Sequence, residues 1–125
     1  MTEVTSLRHG VTVWVAPAEG PELASEQDAI DIIAALYHLE VGLMAIPVQR
    51  FAKRFFDMHS RLIGGFFSKF VNYGHRLAVV GDISSFVEAS DVLRDVVYEC
   101  NRGKNVWFVA DLAELDTRLE HAAAR

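Results

Sequence analysis

The chain has a single cysteine, Cys100, and three prolines among its 125 residues. One thiol excludes an internal disulfide. Cys100 recurs at helical spacing with Leu93, Val96 and Val97, which places it on an inward stripe as a small buried hydrophobe. Metal-ligand spacing is missing too: the five histidines offer no pair on one helical face, so no resident metal or cofactor is expected. Positive charge is in deficit, with twelve Lys and Arg against seventeen Asp and Glu and a net charge of −5. That balance argues against a phosphate backbone as partner, and no nucleic-acid role is expected. The longest uncharged apolar run, residues 41–48, is too short to cross a bilayer, and the N-terminus lacks the charged start and apolar run of a secretory signal. A cytoplasmic location is the expectation.

What is present describes one domain over residues 1–125, since a chain of this size that is 51% hydrophobic can bury one core. Alternation over 11–15 puts Val11, Val13 and Val15 on one face of a strand, and His9-Gly10 can turn back from a short strand before it. Ser25 with an acid three residues later starts a first helix, whose spacing runs through Leu23, Ile30, Ile33, Ala34 and Tyr37. Residues 42–48 are apolar on both faces and suit a buried parallel strand. Leu62, Phe66 and Phe70 form one i, i+4 row of a second helix, with Gly64-Gly65 explained by close packing on the sheet. A strand at 76–82, a third helix through Ala89, Leu93 and Cys100, a strand at 105–111 and a C-terminal helix opened by Asp111 and Glu114 complete the order.

This order predicts an α/β fold with a central mixed, mostly parallel sheet of about five strands and four or five helices. The second strand is expected at the centre, with the third on one side and the fourth on the other. The first strand then sits at an edge away from the second.

Residues that follow parallel strands meet at one rim of the sheet, so Asp82, Ser84 and Asp111, with Asp57 and His59, are candidates for a shared crevice. Carboxylates meeting there could hold a magnesium ion, and an enzyme using Asp82 and Asp111 with a divalent metal is one reading; Asp82 as a strand-exit turn residue and Asp111 as a helix cap is the other. Asp57, His59 and Ser60 stand at the entry to the Phe-rich helix, where a small anionic ligand would meet free backbone N–H groups. Residues 48–58 form a basic amphipathic segment with Arg50, Lys53 and Arg54, which suggests membrane-surface binding as a further alternative. Tyr98, Glu99, Asn101 and Arg102 form a candidate surface for a protein partner, and a homo-oligomer is compatible with the pattern.

The run from Phe55 to Val109 also carries a family resemblance. Phe55-Phe56-Asp57, Lys69-Phe70-Val71-Asn72-Tyr73, Val80-Gly81-Asp82 and Tyr98-Glu99-Cys100-Asn101 with Gly103 resemble the bacterial family known as domain of unknown function 4180, which implies no activity. The sequence departs from that family at Arg61 and Ile63-Gly64-Gly65, and in its basic segment before Phe55. At greater distance the element order and the Phe55–Gly65 phrase look like STAS domains, the fold of anti-sigma-factor antagonists. That resemblance implies a non-enzymatic regulatory module binding a protein partner or a small anionic ligand. It sets Asp57-Met58-His59-Ser60 against the Asp-Ser-Ser-Gly that carries the phosphorylated serine, with His59 at the serine's place and Ser60 one residue late.

Overall fold

The computed structural model of the chain describes residues 4–123. Two residues at positive φ set its topology. His9 (φ 48°) and Gly10 (φ 85°) form the turn between the first two strands, the primed geometry that matches strand twist in a two-residue hairpin. Strand β1 (Val4–Arg8) therefore pairs antiparallel with β2 (Val11–Val15), from Arg8 opposite Val11 to Val4 opposite Val15. With that side of β2 filled, β3 (Leu43–Pro47) adds on the other side, and β4 (Arg76–Val80) and β5 (Val106–Val109) follow outward, all parallel.

The sheet order is β1-β2-β3-β4-β5. The expected central place of the second strand is thus corrected: β3 is central, and β1 lies at an edge but hydrogen-bonded to β2. The local turn at His9-Gly10 decides the arrangement.

Right-handed crossovers between neighbouring strands taken in sequence carry every connecting helix to one face of the sheet. Helices α1 (Glu26–Leu36), α2 (Leu62–Asn72), α3 (Ser84–Ala89) and α4 (Asp91–Arg102) all pack on that face, against Trp14, Met44, Ile46, Leu77, Val79 and Phe108. The other face, with Val13, Leu43, Ala45, Ala78 and Trp107, is covered by Leu115 and Leu119 of α5 (Leu112–Ala123). The alternation in β3 serves both: Leu43 and Ala45 point one way, Met44 and Ile46 the other, and all four are buried.

Ser25 and Asp28 form the expected capping box, with Asp28 N–H donating to Ser25 Oγ at 3.2 Å and Ser25 N–H to Asp28 Oδ2 at 3.1 Å. Tyr37, read as part of the first helix's apolar row, is instead 79% exposed, because α1 gives way at Leu36 to a 3₁₀ turn that rotates the row. The third helix is broken at Ser90, whose hydroxyl accepts the Leu93 N–H at 3.1 Å and starts α4 afresh.

Gly65 lies under α1 and not under the sheet: a Cβ there would collide with the Glu26 carboxylate, while Gly64 faces open space. Glu26 reaches past Gly65 to Lys69 Nζ at 3.6 Å, which ties the two helices together.

The basic amphipathic segment lies in three short 3₁₀ turns, Val48–Arg50, Lys53–Phe56 and Met58–Ser60. Phe51, Ala52, Phe55 and Phe56 are buried. The rings of Phe55 and Phe66 meet edge to face with centroids 5.3 Å apart. Arg50 donates to Pro17 O at 3.0 Å and to Pro21 O at 3.1 Å, and so braces the loop before α1. The apolar side of the segment is part of the core, and Lys53 and Arg54 alone of its cations stand fully in solvent.

Candidate functional site

Each carboxylate singled out in the sequence serves a local turn. Asp82 Oδ1 accepts the Ser84 N–H at 2.9 Å where the chain leaves β4, and the hydrogen bonds from Ser84, the backbone one foremost, hold its carboxyl below the usual range. Asp111 Oδ1 accepts the Glu114 N–H at 2.9 Å, while Glu114 Oε1 accepts the Ala110 N–H at 2.6 Å, so the start of α5 is capped from both directions.

Asp57 Oδ1 accepts the His59 N–H at 3.0 Å and lies 3.3 Å from His59 Nδ1. Ser60 Oγ donates to Asp57 O at 2.7 Å and accepts the Leu62 N–H at 3.2 Å. The polar groups at this helix entry thus bond to one another, and Arg61, at φ 61°, stands between them and the first turn of α2.

A crevice does open at the carboxyl ends of β4 and β5. After β4 the chain turns to α3 on the four-helix face, and after β5 it turns to α5 on the opposite face. Neighbouring strands whose exits diverge leave a gap. Its volume is about 320 Å³, and Gly81, Asp82, Ser84, Val97 and Phe108 are on its walls. Asp82 and Ser84 are brought together there; Asp57, His59 and Asp111 do not line it. Gly81 has φ 140°, and a Cβ on it would meet Val48 Cγ2 at 2.9 Å, so the tight exit from β4 depends on glycine. Among the described residues no three His, Cys, Asp or Glu side chains gather into a group that could hold a metal ion.

The larger cavity, about 930 Å³, lies at the opposite rim, below the amino ends of β4 and β5. Arg76 opens β4, Arg102 ends α4, Lys104 and Asn105 belong to the turn between α4 and β5, and Arg118 and His121 come from α5. At the centre is Trp107, 5% exposed, with Arg76 Cζ 4.7 Å and Arg118 Cζ 4.5 Å from its ring centroid. Cations over an indole face are held by the ring's quadrupole.

Backbone carbonyls fix the same groups. Arg76 Nε donates to Lys104 O at 2.8 Å, Trp107 Nε1 to Gly103 O at 2.9 Å, and Arg118 Nη2 to Asn101 O. Asn101, read as a surface residue, is structural: its Oδ1 accepts the Phe108 N–H at 2.7 Å. Partial burial lowers the pKa of Arg76 from its usual value, yet a guanidinium stays cationic at neutral pH. Among the described residues no carboxylate lines the cavity, and neither Arg76 nor Arg118 has an acidic partner. Arg102 Nη1 lies 3.5 Å from Glu99 Oε2, and its guanidinium is over the ring of exposed Tyr98 at 5.5 Å, so these three form one surface group at the cavity's edge.

A protein-family model matches residues 8–119, nearly the whole chain. The chain belongs to that family, described as domain of unknown function DUF4180. Searches of the curated proteins and of the solved structures find no match. The DUF4180 match takes in Arg76, Arg102, Lys104, Trp107 and Arg118 and stops short of His121. It also extends well beyond the Phe55–Val109 stretch on which the resemblance was read. No helix among the described residues is long and apolar enough to cross a membrane.

Sequence reasoning named Asn101 and Arg102 of the basic cleft, with Lys104 nearby, but missed Arg76, Trp107, Arg118 and His121. A signal was available: Arg76 opens β4 and Lys104 stands just before β5, strands that are neighbours in the sheet, and Arg118 and His121 are an i, i+3 pair on the next helix.

Proposed function

We propose that this DUF4180 chain is a binding module for a small anionic ligand, which it holds in the cleft beneath β4 and β5 without catalysing a reaction on it. The observation that carries the proposal is a wall of four cations, Arg76, Arg102, Lys104 and Arg118, of which Arg102 alone has an acidic partner among the described residues, on a chain whose net charge is −5. A guanidinium carries five N–H donors. Arg76 and Arg118 each spend one on a backbone carbonyl, and the rest of each fork is free to meet an acceptor among the described residues. Two such groups, pinned in place before any ligand arrives, suit the planar, paired recognition of phosphate or carboxylate.

The sequence resemblance to STAS domains, if it reflects kinship, agrees with binding rather than turnover. The ligand site moves, however, from the Asp57–Ser60 entry, whose donors and acceptors are already paired, to the basic cleft.

Calorimetric titration with inorganic phosphate tests the proposal. Saturable binding that weakens as salt is added and drops at least tenfold in Arg118→Gln is expected. Absence of saturable binding to any simple anion would overturn it.

A further inference from the structure

The cleft's cations are of two kinds, and the difference describes the ligand. Arg76 and Arg118 are fixed, each by a backbone carbonyl and by the same indole. Lying within 4.7 Å of one ring centroid, their guanidinium carbons are at most about 9 Å apart. Arg102, at the end of α4 beside Glu99 and Tyr98, and Lys104, in the turn that follows, are instead exposed.

We propose that the cleft takes a small ligand bearing a chain of two or more phosphates. The fixed guanidiniums hold the inner phosphates, and Arg102 and Lys104 meet the outer charge. This rests on the reading of the cleft as an anion site and adds the ligand's class.

Charge balance supports it. A phosphate monoester carries about −1.5 to −2 at neutral pH, so a chain of two or more phosphates can neutralise the three cations without an acidic partner among the described residues, Arg76, Lys104 and Arg118, where a dicarboxylate leaves one of them unneutralised. Size supports it as well. An open cleft of about 930 Å³ has far more room than a lone phosphate needs.

Charge elsewhere disfavours a long polyanion. Of the twelve Lys and Arg, four stand at the cleft, leaving eight against seventeen Asp and Glu over the rest of the chain. A nucleic-acid strand leaving the cleft would cross an acidic surface.

The test is titration of the full chain, at fixed ionic strength, with phosphate, pyrophosphate, tripolyphosphate, citrate and a short single-stranded oligonucleotide. Affinity should rise at least tenfold from phosphate to tripolyphosphate, with citrate weaker than tripolyphosphate. The double variant Arg102→Gln/Lys104→Gln, which alters only exposed side chains, should keep phosphate binding and lose the tripolyphosphate advantage. Citrate binding as tightly as tripolyphosphate would overturn the phosphate-chain proposal and leave the anion site standing. An oligonucleotide binding more tightly than tripolyphosphate would overturn it in favour of nucleic acid. Failure of every anion to bind would remove both readings.

Discussion

Asp82 is a turn carboxylate whose charge stabilises the exit from β4, and its pKa is held low by the hydrogen bonds from Ser84. A carboxyl with a folded pKa below its unfolded one stabilises fully above the unfolded value, and that contribution is lost as pH falls through the folded value. Asp82→Asn, which keeps an acceptor but removes the charge, should therefore lower the denaturation midpoint at neutral pH and leave it unchanged in acid below the carboxylate range. An equal loss at both pH values would contradict the assignment. Ser25→Ala removes the hydroxyl that accepts the Asp28 N–H, and chemical denaturation should report a loss of about 1 kcal/mol. These caps were legible in the sequence because donor and acceptor lie within four residues of each other. The cleft was not legible in the same way: Arg76, Trp107 and Arg118 come from three elements, and nothing local in the chain marks them as neighbours.

For whole elements, apolar spacing located the strands and helices well and was least informative where aromatic residues crowd. Between Val48 and Ser60 the sequence alternates cations with phenylalanines closely enough to read as a basic amphipathic segment. Burial of Phe51, Phe55 and Phe56 from successive short turns uses the same residues differently. Phe66→Ala, which empties the centre of this aromatic cluster, should cost about 3–5 kcal/mol by denaturant unfolding. The Gly64-Gly65 pair was read as packing against the sheet, whereas the two glycines have different surroundings. Gly64→Ala should stabilise by up to about 1 kcal/mol through helix propensity. Gly65→Ala should gain less, because its Cβ displaces Glu26 and breaks the contact with Lys69. Equal gains at the two positions would show that Glu26 does not pass over Gly65.

Across the molecule, the arrangement follows from one hairpin and a run of same-handed crossovers. Sequence reasoning recognised the His9-Gly10 turn but placed β2 at the centre, between β3 and β4. The local turn prevailed, and the parallel strands add outward in order. One consequence is an asymmetric layering in which four helices cover one face and α5 the other. Leu119→Ala, buried between α5 and the sheet, should cost about 2–5 kcal/mol and reduce anion binding in parallel, since α5 also carries Arg118 to the cleft. Loss of stability with anion affinity intact would separate the helix from the site. The divergence of the chain after β4 and β5 accounts for the crevice at one rim, and the gathering of cations from β4, the α4–β5 turn and α5 accounts for the cleft at the other. The most direct test of the account is calorimetry of the native chain with tripolyphosphate, compared with Arg118→Gln. Saturable, salt-sensitive binding by the native chain that falls at least tenfold in the variant is the expected result, and binding that is absent from both proteins, or equal in both, would contradict it.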